Sequence, residues 1–403
     1  MKKLAIVGSG ISAMSCAHYL KGKYKISIFD KNDYLGGHTH THRMEEDGNR
    51  FTLDTGFIVF NHETYPNLLN LFRELGIKGR KSDMSFAVCN HDNGLQYGSA
   101  AIFAQRSRMI SLGYWRFLND INRFFRIAKD DNKMSGMTIR QYCRKNRLSG
   151  YFMDNYLVPM SSAVWSMPHK EVYDFPIALL IPFFKNHGLI GIRRHLQWYT
   201  VKGGSDSYTG KIVEGSGFDI HLKEPVVSAE ETKGKVALKT RKRSYTFDHV
   251  ILASHADESL RIAKGLPEEK RKMLQAFSYT PNAAVLHTDS SIMPSIRGVW
   301  SSWNHMMSKG QTSTIYWLNR LQNPGLKKDY FLSINPFQDI AGDKIIKRIK
   351  YSHPSYSMEN FALQKKLQDL NKDTRIFFAG AYFGYGFHED GIKSGLEVVR
   401  LLR

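Results

Sequence analysis

The chain has 403 residues, of which 42% are hydrophobic and 12% aromatic, so it can fill two buried cores, and disorder is excluded. It carries 57 Lys and Arg against 37 Asp and Glu, a formal charge of +20, which indicates either an anionic partner or simply a generally basic proteome. No nucleic-acid-binding motif accompanies this charge and no apolar run is long enough to span a bilayer, so we expect neither nucleic-acid binding nor a transmembrane helix.

The first twenty residues carry a nucleotide-binding pattern. Residues 4–7 are typical of a buried strand, Gly8 and Gly10 of a tight turn, and residues 11–20 of a helix. A side chain at either glycine would hold the backbone away from a pyrophosphate, whereas Ala13 still allows close helix–strand packing. The helix N-terminus would bind phosphates through its free N–H groups and its dipole.

A second predicted strand completes this unit. Residues 25–29 form a predicted strand that ends at Asp30. This acid stands about 20 residues after the glycines, at the position where an acid binds an adenosine ribose. Gly36 and Gly37 follow, a pair that lets the backbone approach a ligand closely. We therefore predict a dinucleotide-binding unit within residues 1–50.

The next 150 residues change from strand to helix. We predict a strand over residues 50–60, a helix that Thr64 caps and Gly76 ends, and a hairpin that Asn93 and Gly94 close. Residues 101–150 are helical and strongly basic, with eleven Lys and Arg and three acids. One predicted apolar helix face consists of Trp115, Leu118, Ile121, Phe125 and Ala128.

The last half of the chain returns to strands. Predicted strands cover residues 225–229, 236–239, 248–253, 283–286, 314–318, 330–334 and 375–378. A glycine-rich aromatic loop then runs from Gly380 to Gly391, and a closing helix covers residues 392–402. A nicotinamide enzyme does not need this C-terminal strand, loop and helix. A flavin enzyme can use them, because the N-terminus of the helix can stabilise negative charge that develops on the reduced flavin ring.

The complete set of motifs resembles the FAD-dependent amine oxidase and phytoene desaturase superfamily. The resemblance rests on Gly8-x-Gly10-x-x-Ala13, Asp30, Gly36-Gly37, Asp54-Thr55-Gly56, Val250 to Ala253 and Asp390 to Gly395. It implies an α/β fold, in which a Rossmann-type FAD-binding domain with a parallel sheet and helices is interleaved with a mixed α+β substrate domain. The implied FAD-binding domain comprises residues 1–80, 200–260 and 370–403, and the substrate domain residues 81–199 and 261–369, with 100–199 helical and basic.

Within the superfamily, the chain is similar to a bacterial branch described only as NAD/FAD-binding proteins. The similar stretches are Asp54 to Asn61, Tyr65 to Leu68, Val158 to Ser166, Val201 to Ser205 and Gly384 to Gly391. That branch resembles the oxidase-like domain fused to some cyclopropane fatty-acid synthases, and some members are associated with fatty acyl desaturation. The resemblance therefore implies lipid chemistry.

The resemblance also implies a set of cofactor-binding residues. They are Gly8, Gly10, Ile11, Ser12, Ala13, Asp30, Lys31, Gly36, Gly37, His38, Thr55, Gly56, Val226, Gly380, Ala381, Glu389, Asp390 and Gly391. No cysteine lies near residue 380, so we expect FAD to be bound non-covalently. The lysine that amine oxidases hold near flavin N5 has no counterpart that we can place, which weakens the case for an amine substrate.

Candidate catalytic residues lie in the C-terminal loop. His388, Glu389 and Tyr385 are placed beside the flavin by the resemblance, and a histidine with a pKa near neutrality can accept a proton. The alternative is that His388 and Glu389 only shape the loop. Candidate substrate contacts are Phe387, Trp165 and Phe57, for which ordinary core packing is the alternative. Three alternating histidines, at 38, 40 and 42, lack a carboxylate cluster, so we expect no metal.

Three functions remain open from the sequence. The favoured one is an FAD-dependent oxidoreductase that transfers hydride from a C–H bond to flavin N5 and oxidises, desaturates or isomerises a fatty acyl or other long apolar substrate. The second is a soluble amine oxidase that produces hydrogen peroxide. The third is a non-catalytic, FAD-bound partner of a lipid-modifying enzyme. The oligomeric state and the electron acceptor stay undetermined.

Location is predicted from cysteines and charge. The cysteines at 16, 89 and 143 have no metal-type spacing, and Met1 leads directly into a strand, so we expect a cytoplasmic protein without a signal peptide. The apolar stretch 175–184 precedes Lys185, His187, Arg193, Arg194 and His195. This order suits peripheral contact with an anionic membrane; a buried helix is the alternative.

Overall fold

The computed structural model describes residues 1–130, 136–165, 167–191, 196–322 and 325–403, so Lys133, Ser166 and the predicted basic residues 193–195 lie outside the described residues. The strands are β1 (Lys2–Val7), β2 (Tyr24–Phe29), β3 (Thr41–Glu46), β4 (Asn49–Asp54), β5 (Phe60–Asn61), β6 (Gly79–Ser82), β7 (Phe86–Asn90), β8 (Leu95–Gly98), β9 (Trp198–Val201), β10 (Asp219–His221), β11 (Val226–Thr232), β12 (Lys235–Thr240), β13 (Ser244–Phe247), β14 (His249–Leu252), β15 (Tyr279–His287), β16 (Trp303–Ser308), β17 (Gln311–Trp317), β18 (Phe331–Ile334), β19 (Ile345–Pro354) and β20 (Ile376–Phe378). The α-helices are α1 (Ile11–Leu20), α2 (Pro66–Leu75), α3 (Leu112–Asp130), α4 (Ile139–Lys145), α5 (Gly150–Phe152), α6 (Val158–Trp165), α7 (His169–Val172), α8 (Ile177–Asn186), α9 (Asp206–Val213), α10 (Ala256–Ile262), α11 (Glu268–Gln275), α12 (Leu318–Gln322), α13 (Met358–Gln364) and α14 (His388–Leu402).

A parallel sheet of order β10–β2–β1–β14–β20 forms one layer of the fold. Both faces of β1 are buried: Leu4 and Ile6 pack in the core with α1 and α14, whereas Ala5 and Val7 pack in the core with the sheet β11–β12–β13. This explains why β1 is apolar without alternation. The predicted fold class, an α/β protein with a parallel sheet and helices, is confirmed.

A second, mixed sheet has the order β19–β15–β18–β17–β16–β7–β8 and packs against the helices of the 100–190 region. The hairpin β7–β8 forms as predicted, with Gly94 in the left-handed region at φ +66°. Helix α2 ends at Gly76 as predicted. The predicted N-cap is wrong, however: the N-cap residue is Tyr65, and the Thr64 side chain bonds to Asn61 instead. The division of the chain into two domains stays a prediction.

The predicted apolar face of α3 is partly right: Ala128 is buried and Leu118, Ile121 and Phe125 pack partly buried against the helical core, but Trp115 does not. Its fully buried residues are Tyr114, Phe117, Phe124 and Ala128, whereas Trp115 is half exposed. Apolar residues stand next to each other at positions 114 and 115, 117 and 118, and 124 and 125, so periodicity alone does not show which member of each pair faces the core. The consequence is that large apolar side chains at the start of α3 remain in solvent.

The apolar stretch 175–184 is not a membrane-facing surface, which corrects that part of the membrane hypothesis. It forms α8, and its residues Ile177, Leu180, Ile181 and Phe184 are buried in the helical core. The buried-helix alternative therefore holds for this segment. Among the described residues, no helix is long and apolar enough to cross a membrane.

Candidate active site

The first glycine turn brings the uncapped N-terminus of α1 to the edge of the parallel sheet. Gly8 has a φ of +97°, and a Cβ there would lie 2.7 Å from the Ala253 carbonyl oxygen. Gly10 flanks α1, which has neither a side-chain cap nor an acid in its first turn. A Cβ on Gly10 would meet nothing nearer than the Gly36 oxygen at 4.0 Å, so the space before the free N–H groups is open. The turn therefore fits a pyrophosphate.

Asp30 is buried at the end of β2. Its carboxylate accepts hydrogen bonds from the Ser9 hydroxyl at 2.5 Å and the Asn32 N–H at 2.8 Å; burial raises its pKa, and these two bonds oppose the rise. The Asp30 carbonyl accepts from the Glu224 N–H at 2.9 Å, which brings the start of β11, Val226, to the same edge. Lys31 instead forms an ion pair with Glu258 of α10.

A second loop closes against the first. Gly37 has a φ of +59°, and a Cβ there would be 3.3 Å from the Cα of Gly10. A Cβ on Gly56 would overlap the carbonyl of His38, which accepts the Phe57 N–H at 2.6 Å. The Nε2 atom of His38 is shielded from solvent and has no hydrogen-bond partner among the described residues. Burial, and then the neighbouring His353, hold the pKa of His38 well below its ordinary value.

Helix α14 brings a second helix N-terminus to this site. A Cβ on Gly391 would lie 2.7 Å from Ile11 Cγ2, so the glycine lets α14 cross α1 closely. Asp390 accepts the N–H groups of Tyr385 and Phe387, both at 3.0 Å, and burial raises its pKa to about 6. The preceding Gly380–Ala381 turn is fixed by a bond of 2.9 Å from the Gly380 N–H to Ser394 Oγ.

These features together fit a flavin dinucleotide. An uncapped helix N-terminus, two glycine loops in contact and an unpartnered buried imidazole nitrogen are the donors and space such a group requires. The structure brings together most of the predicted cofactor residues: the first glycine turn, Asp30, the second loop with Thr55 and Gly56, and the start of α14. Lys31 points to Glu258 instead, so its predicted contact stays a prediction.

His388 is enclosed by other side chains. Its ring stacks on Phe57 with centroids 3.7 Å apart, and its Nε2 lies 3.2 Å from Thr39 Oγ1 and 3.3 Å from the Tyr208 hydroxyl. Burial lowers the pKa of His388 to about 3, which keeps the ring neutral and makes it a weak base. Because of this stacking, His388 covers one face of the Phe57 ring, and the predicted substrate contact of Phe57 stays a prediction. This geometry favours a positioning role, and the catalytic role stays a prediction.

Glu389 caps another helix. Its Oε1 accepts from the N–H of Asn67 at 3.0 Å and from its Nδ2 at 2.7 Å, and its Oε2 accepts from the Leu68 N–H at 3.1 Å. Helix α2 has no side-chain cap from its own flanking residue Tyr65. Glu389 thus supplies the missing acceptors and the negative charge that a helix N-terminus favours.

Three predicted side chains meet in an aromatic wall, which we define as Trp165, Phe183, Tyr385 and Phe387. The rings of Phe183 and Phe387 stack at 4.8 Å, and Trp165 lies 4.8 Å from Phe183. The indole N–H of Trp165 donates to the Tyr385 carbonyl at 3.3 Å, so its polar atom is satisfied within the wall. Tyr385 and Phe387 directly precede α14 in the chain, whereas Trp165 and Phe183 come from α6 and α8 and are buried in the helical core.

Sequence reasoning missed a polar cluster supplied by β19. The hydroxyl of Tyr351 lies 2.8 Å from Thr55 Oγ1 and 3.0 Å from His40 Nδ1, and the ring of His353 lies 5.3 Å from that of His38. The alternation of Tyr351 and His353 could have indicated a strand with one polar face. In the parts of the chain that the structure describes, no three His, Cys, Asp or Glu side chains are arranged to hold a metal ion.

Comparison with known proteins identifies a family. A family model described as flavin containing amine oxidoreductase matches residues 11–297. A 1-hydroxycarotenoid 3,4-desaturase of Flavobacterium sp. (strain P99-3) is 44% identical over 76 residues, 19% of this chain and only 14% of that protein. The cyclohexylamine oxidase of Brevibacterium oxydans IH-35A shares the fold with a TM-score of 0.70 and 16% identity, covering 100% of this chain and 98% of that one. A fatty acid isomerase of P. acnes, which produces CLA, aligns with a TM-score of 0.67 and 12% identity over 99% and 98% of the two chains.

Proposed function

The chain belongs to the flavin-containing amine oxidoreductase family, and from this membership we propose that it is an FAD-dependent oxidoreductase acting on a fatty acyl chain or another long apolar substrate. The observation that carries the substrate proposal is the aromatic wall beside the N-terminus of α14. Aromatic carbon surface favours a hydrocarbon chain and excludes water from it. The desaturase similarity over 76 residues points in the same direction.

The residues divide into binding and positioning roles. The N–H groups at the start of α1 would bind the pyrophosphate, and Asp30 the adenosine ribose. When bound, FAD would accept hydride from a substrate C–H bond. The wall would hold that bond in place, which is the main requirement of such a reaction. His388 and Glu389 would fix the loop, since His388 already contacts the Thr39 hydroxyl and Glu389 already accepts from the Asn67 backbone N–H.

Two measurements on the purified protein test the proposal. Denaturation should release intact FAD, identified by mass spectrometry, because no cysteine lies near the loop. Anaerobic stopped-flow spectroscopy should then show flavin reduction by fatty acyl substrates, slowed in Phe387→Ala and unchanged in the control Phe337→Ala, far from the wall in the chain.

Lipid mass spectrometry in a host that lacks the protein gives an independent result. Expression should change the unsaturation or double-bond position of acyl chains. Reduction by small amines with peroxide production, and no lipid change, would instead establish an amine oxidase. A flavin that no substrate of either class reduces would contradict the proposal and support the non-catalytic alternative.

A further inference from the structure

One short stretch holds an unusual share of the exposed apolar surface. Of the eleven large apolar side chains that are exposed among the described residues, five lie within residues 102–115. We call them the apolar patch: Ile102, Met109, Ile110, Leu112 and Trp115. Ile110 is 90% exposed and Leu112 is 86% exposed, so neither contributes to the core. Such a concentration marks an interaction surface.

The patch is held by an ordered scaffold. Residues Arg106–Ile110 form a 3-10 helix that leads into α3. The indole N–H of Trp115 donates to the Met109 carbonyl at 2.9 Å, and the ring of Phe103 lies 5.3 Å from that of Trp115. The neighbouring Tyr114 is buried and donates through its hydroxyl to the Ile102 carbonyl. The apolar side chains are therefore presented to solvent by a fixed backbone.

The surroundings of the patch are positively charged. Residues 101–129 contain six Lys and Arg and a single acid, Asp120, which is buried and bonded to Arg123 at 3.2 Å. Arg106 and Arg116, which bracket most of the patch, are exposed and form no ion pair with any described residue. Their charges are available to an anionic partner.

We propose that residues 102–116 form a surface that binds an anionic lipid bilayer. The apolar patch would enter the boundary between headgroups and acyl chains, and Arg106 and Arg116 would contact the headgroups. A second copy of this chain fits the surface less well, because two apposed patches would bring the same arginines together. The site replaces α8 as the membrane-contact region and is independent of which substrate the protein oxidises.

Position in the core adds a second argument. Tyr114 and Phe117, on the inner side of the same helix, belong to the hydrophobic core that also contains Trp165 and Phe183 of the aromatic wall. The helix that carries part of the patch and the residues of the wall thus pack into one hydrophobic core. A bilayer on the patch would therefore contact the same helical, apolar-cored region of the molecule to which the wall belongs.

Vesicle sedimentation of the full-length, flavin-loaded protein tests the proposal. We expect binding to vesicles of phosphatidylcholine with phosphatidylglycerol, weakening as salt is added, and little binding to phosphatidylcholine alone. The pair Ile110→Ser with Leu112→Ser should weaken binding about ten-fold or more, since two exposed apolar side chains are lost from the inserted surface. The matched control is Ile346→Ser with Leu401→Ser, an exposed isoleucine and leucine elsewhere, which should bind as wild type.

Two further measurements make the result decisive. Arg106→Gln with Arg116→Gln should remove most of the salt dependence, and the difference in emission between wild type and Trp115→Phe should shift to the blue with anionic vesicles. A wild type that ignores anionic vesicles, or serine variants that bind equally, would overturn the proposal. So would serine variants that convert a dimer to a monomer in sedimentation velocity, because the patch would then bind a second copy. Flavin content in the same samples shows whether the cofactor assignment fails separately.

Discussion

Replacing Glu389 should distinguish a helix cap from a catalytic carboxylate. In Glu389→Ala, three donors of Asn67 and Leu68 lose their acceptors. Loss of an N-terminal cap costs about 0.5–2 kcal/mol, and loss of the favourable charge about 0.3–1 kcal/mol. We therefore expect α2 to open about 2 kcal/mol more easily, whereas Glu389→Gln, which retains an accepting oxygen, should cost about 0.5 kcal/mol.

Hydrogen exchange followed by mass spectrometry measures this locally. A cost of about 2 kcal/mol corresponds to roughly thirty-fold faster exchange in peptides from α2 of Glu389→Ala. Glu397→Ala is the control, because that residue lies on the same helix and, within the described parts of the chain, pairs only with exposed Arg400. Flavin reduction in Glu389→Gln should stay close to wild type. If exchange in α2 is unchanged while Glu389→Gln abolishes reduction, Glu389 is a catalytic carboxylate and the capping argument is refuted.

Three other changes have defined outcomes. Asp30→Ala should lower the flavin content of the purified protein, by absorbance, whereas Asp33→Ala, at an exposed neighbouring acid, should not. Gly395→Ala should destabilise the fold by about 1–3 kcal/mol in urea unfolding, since the added Cβ would lie 2.7 Å from a carbonyl oxygen of α1. The control Gly210→Ala adds a Cβ in open space within a helix and should stabilise the fold by about 0.5–1 kcal/mol. The flavin-free protein should lose stability relative to Asp390→Asn as pH rises from about 4 to about 6. Burial raises the pKa of Asp390 in the folded protein from 3.8 to about 6, so the carboxyl of the unfolded chain ionises first. A stability difference that does not change with pH would contradict this.

The nucleotide-binding half could be predicted because its signal is local. The strand, the Gly8–Gly10 turn and helix α1 are consecutive, and their geometry follows from which residues tolerate a tight turn before a helix. The hairpin at Asn93 and Gly94 was predictable for the same reason. The residues that determine each of these elements lie within about a dozen positions of one another in the sequence.

The rest of the site depends on distant pairing. Tyr351 reaches Thr55 only because β19 pairs with β15, and the sequence of β19, rich in Lys and Arg, does not indicate that partner. Likewise, motif similarity places Glu389 near a flavin but cannot show that its oxygens contact Asn67, 322 residues earlier. Trp115 illustrates a third limit, since Tyr114 beside it is also aromatic and the pattern does not show which of the two faces the core.

The order of strands in the parallel sheet has a consequence for how the protein is made. Strand β1 pairs with β14, and β14 with β20, so residues 4–7 and 376–378 belong to the same layer. On the ribosome, the first strands and α1 emerge long before the partners that cover them. The thiol of Cys16, for example, can bond to the Gly395 carbonyl only after another 379 residues have been synthesised. Contacts of such separation fold slowly and leave apolar surface open to chaperones or aggregation in the interval. Flavin should therefore bind only after synthesis passes α14, and cofactor uptake would report that the last helix has docked.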